Sequence, residues 1–89
     1  MKAILTVLGK DKSGIIANVS TMLAKKNINI EDISQTIMQG YFTMIMLVDI
    51  NESTTTIFEL NKEAELLGNE IGVKIIIQHE DIFNAMYRV

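Results

Sequence analysis

The sequence predicts an α+β sandwich of ferredoxin-like β-α-β-β-α-β order: a four-stranded antiparallel sheet, two helices on one face, and a short C-terminal helix. Three observations predict it. Short, β-branched apolar runs alternate with longer segments whose apolar residues recur every three or four positions. The two middle runs are separated only by Gln39-Gly40, a junction suited to a tight hairpin because Gly permits positive φ. Two strand–helix–strand units around that hairpin make the split βαβ arrangement, and right-handed crossovers place both helices on the same face.

The first element is Lys2 to Leu8, short and apolar, with Gly9 expected to stop it. From Gly14 to Lys26, Ile15, Ile16, Val19, Met22 and Leu23 recur at helical spacing, with Ser13 or Asp11 as candidate N-cap and Asn27 as the left-handed residue that ends the helix. Ile28 to Met38 and Tyr41 to Ile50 are strands. In the first of these, Ile28 and Ile30 share one parity and Ile33 and Ile37 the other, so a bulge is expected near Glu31-Asp32.

Asn51-Glu52-Ser53 reads as a polar turn holding an N-cap candidate. The register of Ile57, Leu60, Ala64, Leu67 and Ile71 continues through Gly68, which predicts a helix to Ile71 stopped by Gly72; a helix ending at Gly68 is the alternative. Val73 to Gln78 is the fourth strand. Ile82, Phe83, Met86 and Tyr87 have helical spacing, and Glu80-Asp81 is expected to start that last helix.

The 89 residues make one domain, with a core over 2–78 and an extension over 79–89. A fold of this length has a radius of gyration of roughly 12 Å and buries only about 60–65% of its unfolded surface. Yet 48% of residues are apolar and the mean hydropathy is +0.26. In the third strand Phe42, Met44, Met46 and Val48 alternate with Tyr41, Thr43, Ile45 and Leu47, so both faces are apolar and two helices can cover only one. Apolar surface of that kind marks a contact site. A homodimer or higher homo-oligomer is expected, through the uncovered face or the sheet edges.

A net charge of −3 offers nucleic acid no favourable field. The Gln39-Gly40-Tyr41-Phe42-Thr43 stretch faintly echoes the third strand of RNA-recognition domains, but its basic residue is missing. Without cysteine there is no disulfide and no thiolate metal site. The first apolar run is too short for a signal peptide, and no stretch approaches the ~20 apolar residues of a membrane span. A cytoplasmic location is expected.

Gly9 and Gly14 have the G-x-x-x-x-G spacing, but a P-loop needs Lys and then Ser or Thr after the second glycine, where Ile15 and Ile16 stand; nucleotide hydrolysis is therefore rejected. What remains is a turn feeding a helix N-terminus, suited to a carboxylate or phosphate, or a plain capped turn with solvated lysines. His79, the only histidine, has no Cys or second His for a zinc site or a triad; solvation, or capping of the next segment, is its expected role. Glu31 and Asp32 are adjacent in a strand and point to opposite faces. No catalytic constellation is found, and neither enzyme activity nor a cofactor is expected.

The stretch Gly9-Lys10-Asp11-Lys12-Ser13-Gly14-Ile15, followed by Asn27-Ile28-Asn29-Ile30, resembles the ACT domain family. Such domains show Asp or Asn, a variable residue, Pro, Gly and an aliphatic residue after the first strand, and Gly-aliphatic-Asn-Ile at the start of the second. Ser13 replaces the Pro and Asn27 the Gly. The resemblance spans Lys2 to Gln78 and is closest to small stand-alone bacterial members similar to the domains of the glycine cleavage system regulator. It implies a regulatory module that binds an amino acid or similar small carboxylate between paired domains and signals through a separate protein partner. By position, Asp11 and Asn29 would bond the ligand's amino or side-chain groups, and backbone at Ser13, Gly14 and Ile15 its carboxylate. The other reading is a ligand-free dimerisation scaffold of the same fold.

Overall fold

The computed structural model describes residues 1–10 and 13–86, the side chain of residue 86 excepted. Its elements are β1 (Lys2–Lys10), α1 (Ile15–Lys25), β2 (Asn29–Met38), β3 (Tyr41–Asp49), α2 (Ile57–Ile71), β4 (Val73–His79) and α3 (Glu80–Met86). The strands form one antiparallel sheet in the order β2-β3-β1-β4, the arrangement expected from the order of elements. The radius of gyration is 12.5 Å.

One face of the sheet carries the core. Ala3, Leu5 and Val7 of β1, Phe42, Met44, Met46 and Val48 of β3, and Val73, Ile75 and Ile77 of β4 pack with Ile15, Val19 and Leu23 of α1 and Leu60 and Ala64 of α2. Period-two alternation in the strands meets three-and-four spacing in the helices, so both sets converge on one layer. Leu8, Ile45 and Ile76 lie on the opposite face and remain exposed.

The bulge in β2 lies where the parity switch places it: the β2–β3 register shifts between Ile30 and Asp32. Ile30 pairs with Val48, Ile33 with Met46 and Ile37 with Phe42, so the extra residue returns all three isoleucines to the helix-side face. The hairpin turn has φ 53° at Gln39 and 82° at Gly40, positive at both central residues as a two-residue turn of the primed type requires.

Several boundaries differ from expectation. Gly9 does not stop β1; the strand runs through it to Lys10, and a Cβ there would stand 2.8 Å from Val73 Cγ1. The glycine is needed for close approach to β4, not for a turn. The N-cap of α1 is Gly14, not Ser13, and Asp11 lies outside the described residues. Gly14 takes φ 87°, which only glycine adopts without strain, and Asn18 Nδ2 donates to its carbonyl at 2.8 Å. Asn27 ends the helix region at φ 58°.

The cap of α2 is Thr56, beyond the Asn51–Ser53 turn: its Oγ1 accepts from Glu59 N–H at 3.1 Å. The helix does continue to Ile71, with Gly72 as the left-handed stop. Gly68 stands inside it because a Cβ would lie 2.5 Å from the Val73 carbonyl oxygen. His79 caps α3, its Nδ1 accepting from Asp81 N–H at 3.0 Å. Tyr87 lies outside the described residues.

Candidate functional site

The β1–α1 turn opens α1 with an exposed Ser13 and Gly14, whereas the Ile15 side chain is buried in the core. Gly14 offers no side chain to the first N–H groups of α1, groups that have no intrahelical acceptor and carry the positive end of the helix dipole. Free N–H groups at a helix N-terminus are of the kind that suits an anion.

Asn29 is the first residue of β2, is exposed, and pairs in register with Asp49. It lines an open depression of about 460 Å³ with Ala24, Asn27, Ile28 and Glu52. The carboxylate of Glu52 and the Asn29 amide suit a cation or hydrogen-bond donor. Glu52 was legible in the sequence only as part of a polar turn; the α1–β2 and β3–α2 connections become neighbours only when β2 pairs with β3.

The structure does not bring Asn29 to Ser13, Gly14 and Ile15 within one chain. β1 and β2 flank β3 and both run antiparallel to it, so they share a direction. The turn follows the end of β1 while Asn29 starts β2, and the 11 residues of α1 separate them by about 16 Å.

The two edges of the sheet differ. On β4, Asn61 of α2 donates from Nδ2 to the Ile77 carbonyl at 2.8 Å and accepts at Oδ1 from Ile77 N–H at 2.9 Å. On β2, every residue from 31 to 38 is exposed. Ile33 and Ile37 face the helix side beyond the reach of the chain's own helices, 42% and 58% exposed.

The remaining polar candidates are engaged separately. Glu31 Oε2 pairs with Lys2 Nζ at 2.9 Å, a contact that raises the Lys2 pKa above its ordinary 10.5 through the hydrogen bond and the charge of Glu31. Asp32 Oδ1 accepts from Ile33 N–H at 2.9 Å. His79 is occupied with α3 and lies 3.7 Å from Asp81 Oδ2. Of the two aromatics in the stretch that echoes RNA-recognition domains, Phe42 is buried against the helices and Tyr41 is exposed. Among the described residues no helix is long and apolar enough to cross a membrane.

A UPF0237 protein of Clostridium acetobutylicum is 58% identical over 89 residues, covering 100% of each chain. The structure of an ACT domain protein from Streptococcus pneumoniae superposes with a TM-score of 0.83 at 49% identity over 98% of each chain. A protein assigned as a glycine cleavage system transcriptional repressor shares the fold, with a TM-score of 0.72 at 23% identity over 86% of this chain and 44% of that one. The family model of the ACT domain matches residues 2–78. With the split βαβ order, the Gly14 turn and that match in agreement, the chain belongs to the ACT domain family.

Proposed function

We propose that this chain is a regulatory module in which two copies bind an amino acid, or a similar small carboxylate, at their shared interface and pass that state to a protein partner. One observation carries the reading. The carboxylate-type half of the site, at Ser13-Gly14-Ile15, and the amine-type half, at Asn29 and Glu52, lie at opposite ends of β2, whose edge is open. Two copies related by a two-fold axis, with their β2 edges antiparallel, bring Asn29 of each toward the turn of the other. Ile33 and Ile37 are covered in the same step. A zwitterion then spans the interface, carboxylate on the helix N-terminus and ammonium at Asn29 and Glu52. Asp11 joins this site by family position.

Thermal unfolding against a panel of single amino acids at millimolar concentration tests the proposal. A ligand at 100 times its Kd adds about 2.7 kcal/mol, several degrees or more for a domain of this size. The shift is expected to vanish in Asn29→Ala and in Asp11→Ala, with the dimer intact. A flat panel with a persistent dimer would instead favour a ligand-free dimerisation scaffold, a reading supported by the open β2 edge and the uncovered Ile33 and Ile37, which need no ligand to pair.

A further inference from the structure

The outward pole of α2 breaks the rule for an amphipathic helix. Leu60, Ala64 and Gly68 are its buried residues, so the opposite side should be polar. Instead Phe58 and Leu66 stand there, 70% and 69% exposed. With Lys62 between them they follow at i, i+4 and i+8 along a single stripe. Lys62 Nζ sits 4.4 Å from the centre of the Phe58 ring, and Leu66 borders a shallow depression with Lys62, Glu65 and Asn69. Neither interface expected for copies of this chain reaches the stripe. Pairing through β2 happens at the other end of the strand order, and stacking through the open face happens on the other side of the sheet.

Charge decides what covers it. α2 carries Glu59, Glu63, Glu65 and Glu70 against the single Lys62. Glu63 is paired with Lys26 at 2.6 Å, while Glu59, Glu65 and Glu70 are exposed on both flanks of the stripe. A second copy docked here about a two-fold axis would set one acidic helix against another, and an anionic membrane or nucleic acid would meet the same repulsion. A segment with apolar anchors and flanking Lys or Arg meets attraction at the rim and apolar surface at the centre.

We propose that the Phe58–Lys62–Leu66 stripe is the docking surface for a basic amphipathic segment of a partner protein. The proposal rests on the reading above that the module signals through a partner, and it names the surface and the chemistry of that partner. Phe58 and Leu66 act as the apolar anchors, and Glu59, Glu65 and Glu70 attract and orient the basic residues.

The test uses two synthetic helical peptides, one of Leu and Lys and one of Leu and Glu with the same apolar spacing, titrated by calorimetry into the purified chain at 150 mM salt. The Leu/Lys peptide is expected to bind and the Leu/Glu peptide not to. Phe58→Ala with Leu66→Ala is expected to weaken the Leu/Lys peptide at least tenfold, although every charge remains. Glu65→Lys with Glu70→Lys is expected to reverse the preference between peptides. Binding that survives loss of both anchors, equal binding of both peptides, or no binding at all would overturn the proposal. So would a loss of self-association in Phe58→Ala/Leu66→Ala, which would assign the stripe to a second copy. The amino-acid shift of unfolding, measured on the same variants, is expected to stay at the wild-type value. A failed stripe with an intact shift leaves the ligand site standing, and a flat amino-acid panel with intact peptide binding does the reverse.

Discussion

Asn61 and Ile77 form a two-way amide pair across α2 and β4, the side chain of one bonding both the N–H and the C=O of the other at 2.9 and 2.8 Å. An edge strand exposes such groups to other chains, and here a helix side chain occupies them. The pair occupies the β4 edge at Ile77, whereas every β2 residue from 31 to 38 is exposed. Asn61→Ala is expected to cost about 1–3 kcal/mol, because two hydrogen bonds are lost and a part-buried backbone unit is left unpaired. Urea unfolding measures the loss. Size-exclusion chromatography should show added concentration-dependent association through the uncapped β4.

Ile37→Asp addresses the other edge. The side chain is more than half exposed in the single chain, so the fold is expected to survive, while a charge on the apolar side of the proposed β2–β2 seam blocks pairing. Sedimentation should report a monomer with an unchanged circular dichroism spectrum. A dimer that persists would move the interface away from β2.

Gly68→Ala separates local propensity from tertiary packing. In a helix interior Ala is favoured over Gly by about 1 kcal/mol. The new Cβ would meet the Val73 carbonyl oxygen at 2.5 Å, and that oxygen belongs to the backbone of a sheet strand and cannot swing aside. Overpacking of this kind costs about 1–3 kcal/mol. The midpoint of thermal unfolding is expected to fall.

Gln39→Asn is expected to stabilise the β2–β3 hairpin. Gln39 holds φ 53°, a left-handed conformation that costs an ordinary L-residue roughly 1–2 kcal/mol and that Asn tolerates better. With Gly40 following, the change makes Asn-Gly, the preferred pair for this turn. A gain of about 0.5–1 kcal/mol by denaturant unfolding is the expected size.

The Lys2–Glu31 contact predicts an effect confined to alkaline pH. The folded-state pKa of Lys2 is raised above 10.5, so its contribution is fully present below the unfolded value and is lost as pH rises through the folded one. Between pH 6 and 9 the wild type and Lys2→Met should therefore keep a constant, small difference, since the pair is solvent-exposed. The two curves of unfolding midpoint against pH should converge above about pH 10.5. Convergence at neutral pH instead would show that the contact does not persist in solution.

Much of the fold was legible in the residues themselves. The parity switch between Ile30 and Ile33 determined the bulge, because a period of two leaves no other way to keep both on one face. The unbroken spacing from Ile57 to Ile71 carried α2 through Gly68, and Asn27, Gly40 and Gly72 marked the left-handed positions by chemistry alone. The family likeness, too, was readable from the Gly14 turn and the start of β2. What only the tertiary structure decided depends on approach between segments distant in sequence. Gly9 and Gly68 are glycines because β4 passes close to both at Val73, a fact no local window contains. Thr56 rather than Ser53 caps α2 because packing against the sheet fixes where that helix can begin. Asn61 meets Ile77, and Glu52 comes to line one depression with Asn29, only once the strands have paired. The separation of Asn29 from Gly14 follows from β1 and β2 running in the same direction, a relationship that appears only when both strands pair with β3.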